Sequence, residues 1–328
     1  MPAISSERSE RSSVEPFVTL EEIRAARERI RSAVVYTPVL QVPGPLWLKC
    51  ENLQPMGAFK IRGAFNMIAQ LPTEGRARGV ITYSSGNHGQ AVALAAKTVG
   101  APAVIVMPTT APAVKVEGCK SYGAEVIMAG TTSLDRQQRA EQEANERGLT
   151  MVPPFDHRQI VAGQGTMGLE ILEQCPDVAT VIVPAGGGGM ASGVAAAIKQ
   201  SKPSVRIVAV EPVGAPKMTK SLAAGQPVTL PSSASIADGL MNLRPGNITF
   251  AHLQKFVDEV VMVDEAAIAR AVAWLFRYAR LVAEPSGAVT TAAFMRGLGH
   301  TDAGRGPVVA VVSGGNVAPE AFANYIAS

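Results

Sequence analysis

An α/β fold with two open, twisted, mostly parallel sheets flanked by helices is what the 328-residue sequence predicts. Three observations carry that expectation. Short apolar runs such as Val80-Ile81-Thr82-Tyr83, Val104-Ile105-Val106 and Val126-Ile127-Met128 alternate with helical stretches, the pattern of strands joined by right-handed crossovers. The alternation comes in two series, the smaller inserted between parts of the larger. Glycine-rich or small polar turns stand directly after several strands, where such sheets bind their ligands.

The elements follow in order. Thr19-Leu20-Glu21-Glu22 has capping-box spacing and opens a helix running to about Val34. A stretch rich in Pro and Gly after Pro38 leads into a short strand, Leu46 to Lys49. The inner series is strand 80–83, helix 90–99, strand 104–106, helix 113–122, strand 126–128 and helix 133–147. The outer series resumes with a helix from about Gly163 to Gln174, strand 178–183, a small-residue helix 190–199 and strand 205–210. Strand 260–263, helices 265–279 and 287–297, strand 308–312 and a C-terminal helix complete it. The charge-poor stretch 225–249 reads as irregular and is expected to pack over something. The division that follows is a disordered tail over 1–17, a large domain of 18–77 with 152–328, and a small domain of 78–151.

Bulk properties exclude several roles. The net charge of +3 is spread thinly, and Arg24, Arg27, Arg29 and Arg31 alternate with Glu21, Glu22 and Glu28 as on a solvated helix face. Aromatic residues, at 5%, are too few for base-stacking platforms, so nothing points to nucleic acid. No apolar run is long enough to cross a membrane, and the tail lacks the apolar core of a secretory signal. Cys50, Cys119 and Cys175 are widely separated, with no C-x-x-C spacing, and make neither a disulfide framework nor a zinc site. A cytoplasmic protein acting on a small molecule is the expectation.

The chemistry is concentrated in loops. Gly186, Gly187, Gly188 and Gly189 lie between a strand and a helix, where glycines let the backbone approach an anion and the helix N-terminus offers unpaired N–H groups. Alone, that loop could equally hold a nucleotide. Ser84-Ser85-Gly86-Asn87-His88-Gly89 would suit a carboxylate for the same reason. Glu284-Pro285-Ser286-Gly287-Ala288 and Ser313-Gly314-Gly315-Asn316 are similar. Singly, each reads as a cap or a turn; together, at strand ends, they converge on one cleft. Lys60 stands between Phe59 and Ile61 among small residues, partly enclosed by apolar side chains. A phosphate cradle, a carboxylate loop and such a lysine form the set that pyridoxal 5′-phosphate requires.

On these motifs the chain resembles the fold-type II pyridoxal-phosphate enzymes, in the serine racemase and threonine dehydratase branch, from about Val18 to the C-terminal helix. FKIRGA resembles the family's Schiff-base segment, which makes Lys60 the implied cofactor-linked lysine. SSGNHGQA resembles the substrate loop, so Ser84, Ser85, Gly86, Asn87 and His88 are implied to surround the substrate, with Asn87 also on the cofactor's ring hydroxyl. GGGGM resembles the phosphate cup, giving Gly186 to Gly189 and Met190. SGGN implies Ser313 at the pyridine nitrogen, and Phe59, Glu284 and Gly314 complete the implied cofactor contacts. Ser85 matches the position of a second acid/base opposite the lysine, which leaves racemisation open.

Two departures stand out. Ala58 stands where the family commonly has Ser or Thr. The metal-dependent members bind a cation through positions that align here with Glu211, the Ala215 carbonyl and Lys217; a lysine cannot ligate a dication. The expectation is therefore no metal, with the Lys217 ammonium paired to Glu211. The implied activity is a dehydratase converting a β-hydroxy amino acid of the L-threonine or L-serine type into a 2-keto acid and ammonia. Serine-type racemisation, and phenylserine or 3-hydroxyaspartate as substrate, are the alternatives. The resemblance also implies a homodimer, no regulatory domain after Ser328, and a side-chain pocket built around 154–157 and 236–242.

Overall fold

The computed structural model describes residues 16–84, 86–111, 113–131, 133–298 and 306–327. Its strands are β1 (Val39–Gln41), β2 (Leu46–Cys50), β3 (Val80–Tyr83), β4 (Ala103–Met107), β5 (Glu125–Met128), β6 (Thr150–Met151), β7 (Thr180–Pro184), β8 (Arg206–Pro212), β9 (Glu259–Val263) and β10 (Val308–Val312). Among the described residues they form two sheets. One is six-stranded in the order β1-β2-β10-β7-β8-β9; the other is four-stranded in the order β5-β4-β3-β6. Only β1 runs antiparallel, against β2. The two-sheet α/β expectation is met.

The helices are α1 (Leu20–Ile30), α2 (Ile61–Ile68), α3 (Thr73–Arg78), α4 (Asn87–Val99), α5 (Ala113–Ser121), α6 (Ser133–Arg147), α7 (Arg158–Gln174), α8 (Gly189–Ser201), α9 (Lys217–Ala224), α10 (Asn247–Phe256), α11 (Glu265–Trp274), α12 (Pro285–Met295) and α13 (Pro319–Ala327). The capping box of α1 forms as expected, the Thr19 hydroxyl accepting from the Glu22 N–H and the Glu22 carboxylate from the Thr19 N–H. That helix stops at Ile30, a turn short of the expected Val34. Within 225–249 lie a 3-10 turn at Asp238–Leu240 and the start of α10. The tail over 1–17 lies outside the described residues except Pro16 and Phe17. Phe17 is packed, its ring edge-on to His252 and Phe256.

Strand order places the site. In the larger sheet the chain moves from β7 outward to β8 and β9, then returns to insert β10 on the other side of β7. In the smaller sheet it moves from β3 to β4 and β5, then returns to place β6 beside β3. Each reversal opens a crevice at the carboxyl ends of two neighbouring strands, which is where ligands enter such sheets. The loops after β7, β10, β3 and β6 are therefore the four that border the cleft. They carry the glycine loop, Ser313–Asn316, Ser84–Asn87 and Val152–His157.

The segment following β2 is anchored by a buried charge cluster. The Arg62 guanidinium, wholly buried, donates to Glu51 (Nε–Oε2 and Nη2–Oε1, both 2.8 Å) and to Glu170 (Nη1–Oε1 2.7 Å, Nη2–Oε2 2.8 Å). Lys49 Nζ joins it, 2.6 Å from Glu170 Oε2 and 2.6 Å from the Thr37 carbonyl. Two cations facing two carboxylates leave no net buried charge, the condition under which such groups are tolerated inside a protein. This cluster fixes the first turn of α2 through Arg62, two residues beyond Lys60.

Candidate active site

The glycine loop closes tightly around its own backbone. Gly188 has φ +99°, the left-handed region that favours glycine, and a Cβ there would lie 2.8 Å from Thr249 Cβ and 2.9 Å from Met218 Cε. At Gly187 a Cβ would enter the Phe155 ring. The Thr249 hydroxyl donates to the Gly187 carbonyl at 2.7 Å, and the Gly246 N–H to the same oxygen at 3.3 Å. These two donors engage the Gly187 carbonyl, and α8 begins two residues later. The N-terminus of α8 is buried and has no side-chain cap, and Ser192 N–H to Gly188 O (2.8 Å) is its first intrahelical bond. A buried helix start with orphan donors and a positive dipole end fits an anion such as phosphate.

Lys60 and the Ser313 segment are stitched together through the backbone. The Phe59 N–H donates to the Ser313 carbonyl at 3.1 Å and the Gly315 N–H to the Gly57 carbonyl at 2.9 Å, while Ala58 and Gly314 form an isolated antiparallel bridge. Lys60 Nζ donates to the Pro154 carbonyl at 2.8 Å. The next residue, Phe155, is the one packed on the glycine loop. One short segment after β6 thus touches both the lysine and the anion cradle. Burial pushes the Lys60 amine down to about 8, so it gives up its proton far more readily than an exposed lysine. Ser313 is buried, its Oγ 3.4 Å from the Ser286 carbonyl.

A chain of side chains crosses the cleft. Asn316 Nδ2 donates to Asn87 Oδ1 (2.8 Å) and to the Met56 carbonyl (2.9 Å), and Asn87 Nδ2 donates to Glu284 Oε1 (2.6 Å). The Glu284 N–H bonds the Gly314 carbonyl at 3.0 Å. Burial, and secondarily the Asp238 carboxylate, push Glu284 up to about 8; the Asn87 amide and Lys115 oppose that. Glu284 is therefore a neutral acid at pH 7. Asn87 and Glu284 are both legible in the sequence as candidates, whereas Asn316, the residue of SGGN that orients Asn87, carries no sequence signal for that role.

The other candidates are placed by the elements that carry them. Ser84, Gly86, Asn87 and His88 sit on the turn entering α4, and Met190 in the first turn of α8. The His88 imidazole is turned away from that turn. It is buried, pushed down to about 3 mainly by that burial, and hence neutral, with Nε2 3.0 Å from the Val152 carbonyl. What His88 offers a ligand is its main-chain N–H. Ser85 lies outside the described residues. Of the expected side-chain pocket, Asp156 caps α10, accepting from the Asn247, Ile248 and Thr249 N–H groups, and His157 caps α7.

The aligned metal position is filled by the ammonium. Lys217 Nζ lies 3.1 Å from the Ala215 carbonyl and 3.4 Å from Glu211 Oε2, all wholly buried. Glu211 also accepts from the Met218 and Thr219 N–H groups, both at 2.9 Å, and from the Thr219 hydroxyl at 2.7 Å. The expected pairing is what forms. A dication does not fit between these groups while Lys217 is there.

Comparison with known proteins decides the family. The model of the pyridoxal-phosphate dependent enzymes matches residues 30–314. The chain belongs to that family. Among curated members, the L-threonine ammonia-lyase of Thermotoga maritima is 43% identical over 308 residues, covering 92% of this chain and 76% of that one. The serine racemase of Oryza sativa subsp. indica is 42% identical over 310 residues, 91% of each. The solved structure of maize serine racemase superposes with a TM-score of 0.90 at 40% identity, covering 94% of this chain and 97% of that one. The fold-type II expectation and the expected cofactor, pyridoxal 5′-phosphate, are both borne out. No described helix is long and apolar enough to cross a membrane.

Proposed function

We propose that this chain is a pyridoxal-phosphate-dependent ammonia-lyase converting L-threonine or L-serine to the 2-keto acid and ammonia. One observation carries the reading: a lysine with a desolvated amine, an uncapped glycine loop and the Asn316–Asn87–Glu284 chain border one cleft. When bound, the cofactor supplies a reactive aldehyde and a ring that takes up electrons released at the substrate Cα. The α8 N-terminus, with Gly186 to Gly189 and Met190, would hold its phosphate. Lys60 would hold its aldehyde carbon, flanked by Phe59, and Ser313 with Gly314 the ring nitrogen's edge. Asn87, held by Asn316 and Glu284, would face the ring hydroxyl.

The chain's own groups then account for the proton movements. A Lys60 amine that burial lets lose its proton readily can take the α-proton, and its depressed affinity for that proton lets it hand the proton on. A serine hydroxyl at the ring nitrogen, unlike a carboxylate, does not hold that nitrogen protonated, which favours loss of the β-hydroxyl over transamination. The Ser84–His88 turn, with its helix-entry N–H groups, receives the substrate carboxylate. The serine racemases at 42% identity favour a second reading, racemisation, in which Ser85 serves as the opposite acid/base.

The two sheets support the division into a large domain, 18–77 with 152–328, and a small one, 78–151. Three free, buried cysteines accord with a reducing cytoplasm, and the exposed Phe276, Tyr278, Val282 and Met295 with a homodimer. The test is 2-keto-acid release by the yellow holoprotein across a panel of β-hydroxy amino acids, with and without EDTA. Turnover of threonine or serine that survives EDTA is expected. A cofactor-loaded protein releasing keto acid from none of them would overturn the reading.

A further inference from the structure

All four unpaired N–H groups at the start of α10 find acceptors, and those acceptors come from two other loops of the cleft. Three go to one side chain. Asp156, in the segment after β6, accepts from the Asn247 N–H at Oδ2 (2.9 Å) and from the Ile248 and Thr249 N–H groups at Oδ1 (2.9 and 3.2 Å). The fourth, from Gly246, goes to the Gly187 carbonyl of the glycine loop at 3.3 Å. Gly246 has no room for a side chain, since a Cβ there would overlap the Asp156 carboxylate. One turn on, the Thr249 hydroxyl donates to the same Gly187 carbonyl at 2.7 Å, and the Ser192 hydroxyl of α8 donates to the Thr249 carbonyl at 3.1 Å. Helix α10 has no side-chain cap of its own, so Asp156 supplies it from a distant part of the chain.

We propose that Asp156 is a positioning residue for the cofactor phosphate, holding the glycine loop in its anion-binding shape through α10. The inference rests on the glycine loop being the phosphate site and is independent of which amino acid is turned over. In a planar trans peptide the N–H points opposite to the carbonyl, so pinning the Gly187 carbonyl on α10 directs the Gly188 N–H away from that helix. Remove the carboxylate, and three N–H groups at the head of α10 lose their acceptor. The helix start then reorients toward water, and the Gly246 N–H and Thr249 hydroxyl lose their alignment on Gly187. Its carbonyl becomes free to turn, and an acceptor replaces a donor where the anion binds. Phe155, the residue before Asp156, packs on Gly187 and Gly189. One segment thus meets the loop both directly and through α10. The sequence puts Asp156 in a side-chain pocket; its carboxylate serves the phosphate end of the cleft instead.

The test is absorbance titration of the full-length apoprotein with pyridoxal 5′-phosphate and, separately, with pyridoxal, which lacks the phosphate. Asp156→Ala should weaken the phosphate ester roughly tenfold or more, the scale on which partners behind a binding group act, and leave pyridoxal unchanged. Asp156→Asn keeps an oxygen for the Ile248 and Thr249 N–H groups and should lose clearly less; it decides the matter if the alanine variant does not fold. Thr249→Val, which removes the hydroxyl on Gly187, should weaken the same ligand. The double variant should fall short of the sum of the two losses, because both act through one contact. Asp264→Ala removes the carboxylate that accepts from the Ala267 N–H at the start of α11, and should lower the melting temperature without changing either affinity. The proposal is overturned by an unchanged affinity, by a loss shared equally with pyridoxal or with Asp264→Ala, by an asparagine variant no better than alanine, or by losses that add with Thr249→Val. A wild type that binds pyridoxal as tightly as its phosphate ester refutes the assignment of the glycine loop itself.

Discussion

Replacing Glu284 by Gln isolates the energetics of the buried acid. The Gln carbonyl still accepts from Asn87 Nδ2, so the network is kept and only titration is lost. In the folded chain Glu284 is pushed up to about 8 from its ordinary 4.5. Between those values the folded state keeps a proton that the unfolded state has released, so wild-type stability falls as pH rises through this window. Taking about 1.4 kcal/mol per pH unit, the loss reaches on the order of 3 kcal/mol by pH 7. His88 acts in the opposite direction below 6.5, because its folded value is depressed to about 3. Lys60, depressed from 10.5 to about 8, makes stability rise with pH only between those two values, above the pH window compared. Both are common to variant and wild type and cancel in the difference. Thermal melting of the two apo proteins should therefore give a gap that widens by roughly 6 °C between pH 4.5 and pH 7, at about 2 °C per kcal/mol for a chain of this size. Any fixed cost of the amide shifts the whole curve without changing its slope. A gap that is constant across the range would refute the reasoning.

Other perturbations follow from the same geometry. Lys217→Met strips the cation from a wholly buried carboxylate and should destabilise the fold by about 3–5 kcal/mol in denaturant unfolding, the usual result of breaking a buried pair. In the wild type, EDTA should leave the melting midpoint and activity unchanged; a fall in either would contradict an ammonium-filled site. Gly187→Ala drives a methyl into the Phe155 ring and should cost roughly tenfold or more in pyridoxal-phosphate affinity, followed by absorbance titration. Undiminished affinity would remove this loop from the phosphate site.

Much of this molecule could be read from residue pattern, and the failures have local causes. The apolar runs at β3, β4 and β10 are buried strands with little freedom to be anything else. By contrast β6, two residues long, is held by pairing to β3, distant in sequence, and β1 is a three-residue edge strand paired antiparallel to β2. Helix α7 begins at Arg158 rather than near Gly163 because His157 caps it, a signal the residue's chemistry does not advertise. Helix α2 went unseen because it is short and all eight residues are buried, its polar Arg62 and Asn66 facing buried partners rather than solvent. In the site, Lys60, the glycine loop and Ser313 stood out by type and position. Asn316 did not, since its role arises only when 87, 284 and 316 are brought together by the crossing of two sheets. The Lys217 substitution was visible only against a family pattern, and the buried pair then followed from charge alone.

The central claim is that Lys60 holds the cofactor. Borohydride reduction of the yellow holoprotein, followed by proteolysis and mass mapping, reads this directly. The pyridoxyl group should be found on the peptide containing Lys60, and Lys60→Ala should abolish both the visible band and keto-acid release. A pyridoxyl group on Lys49, Lys115 or Lys217, or a band that survives in Lys60→Ala, would contradict the account.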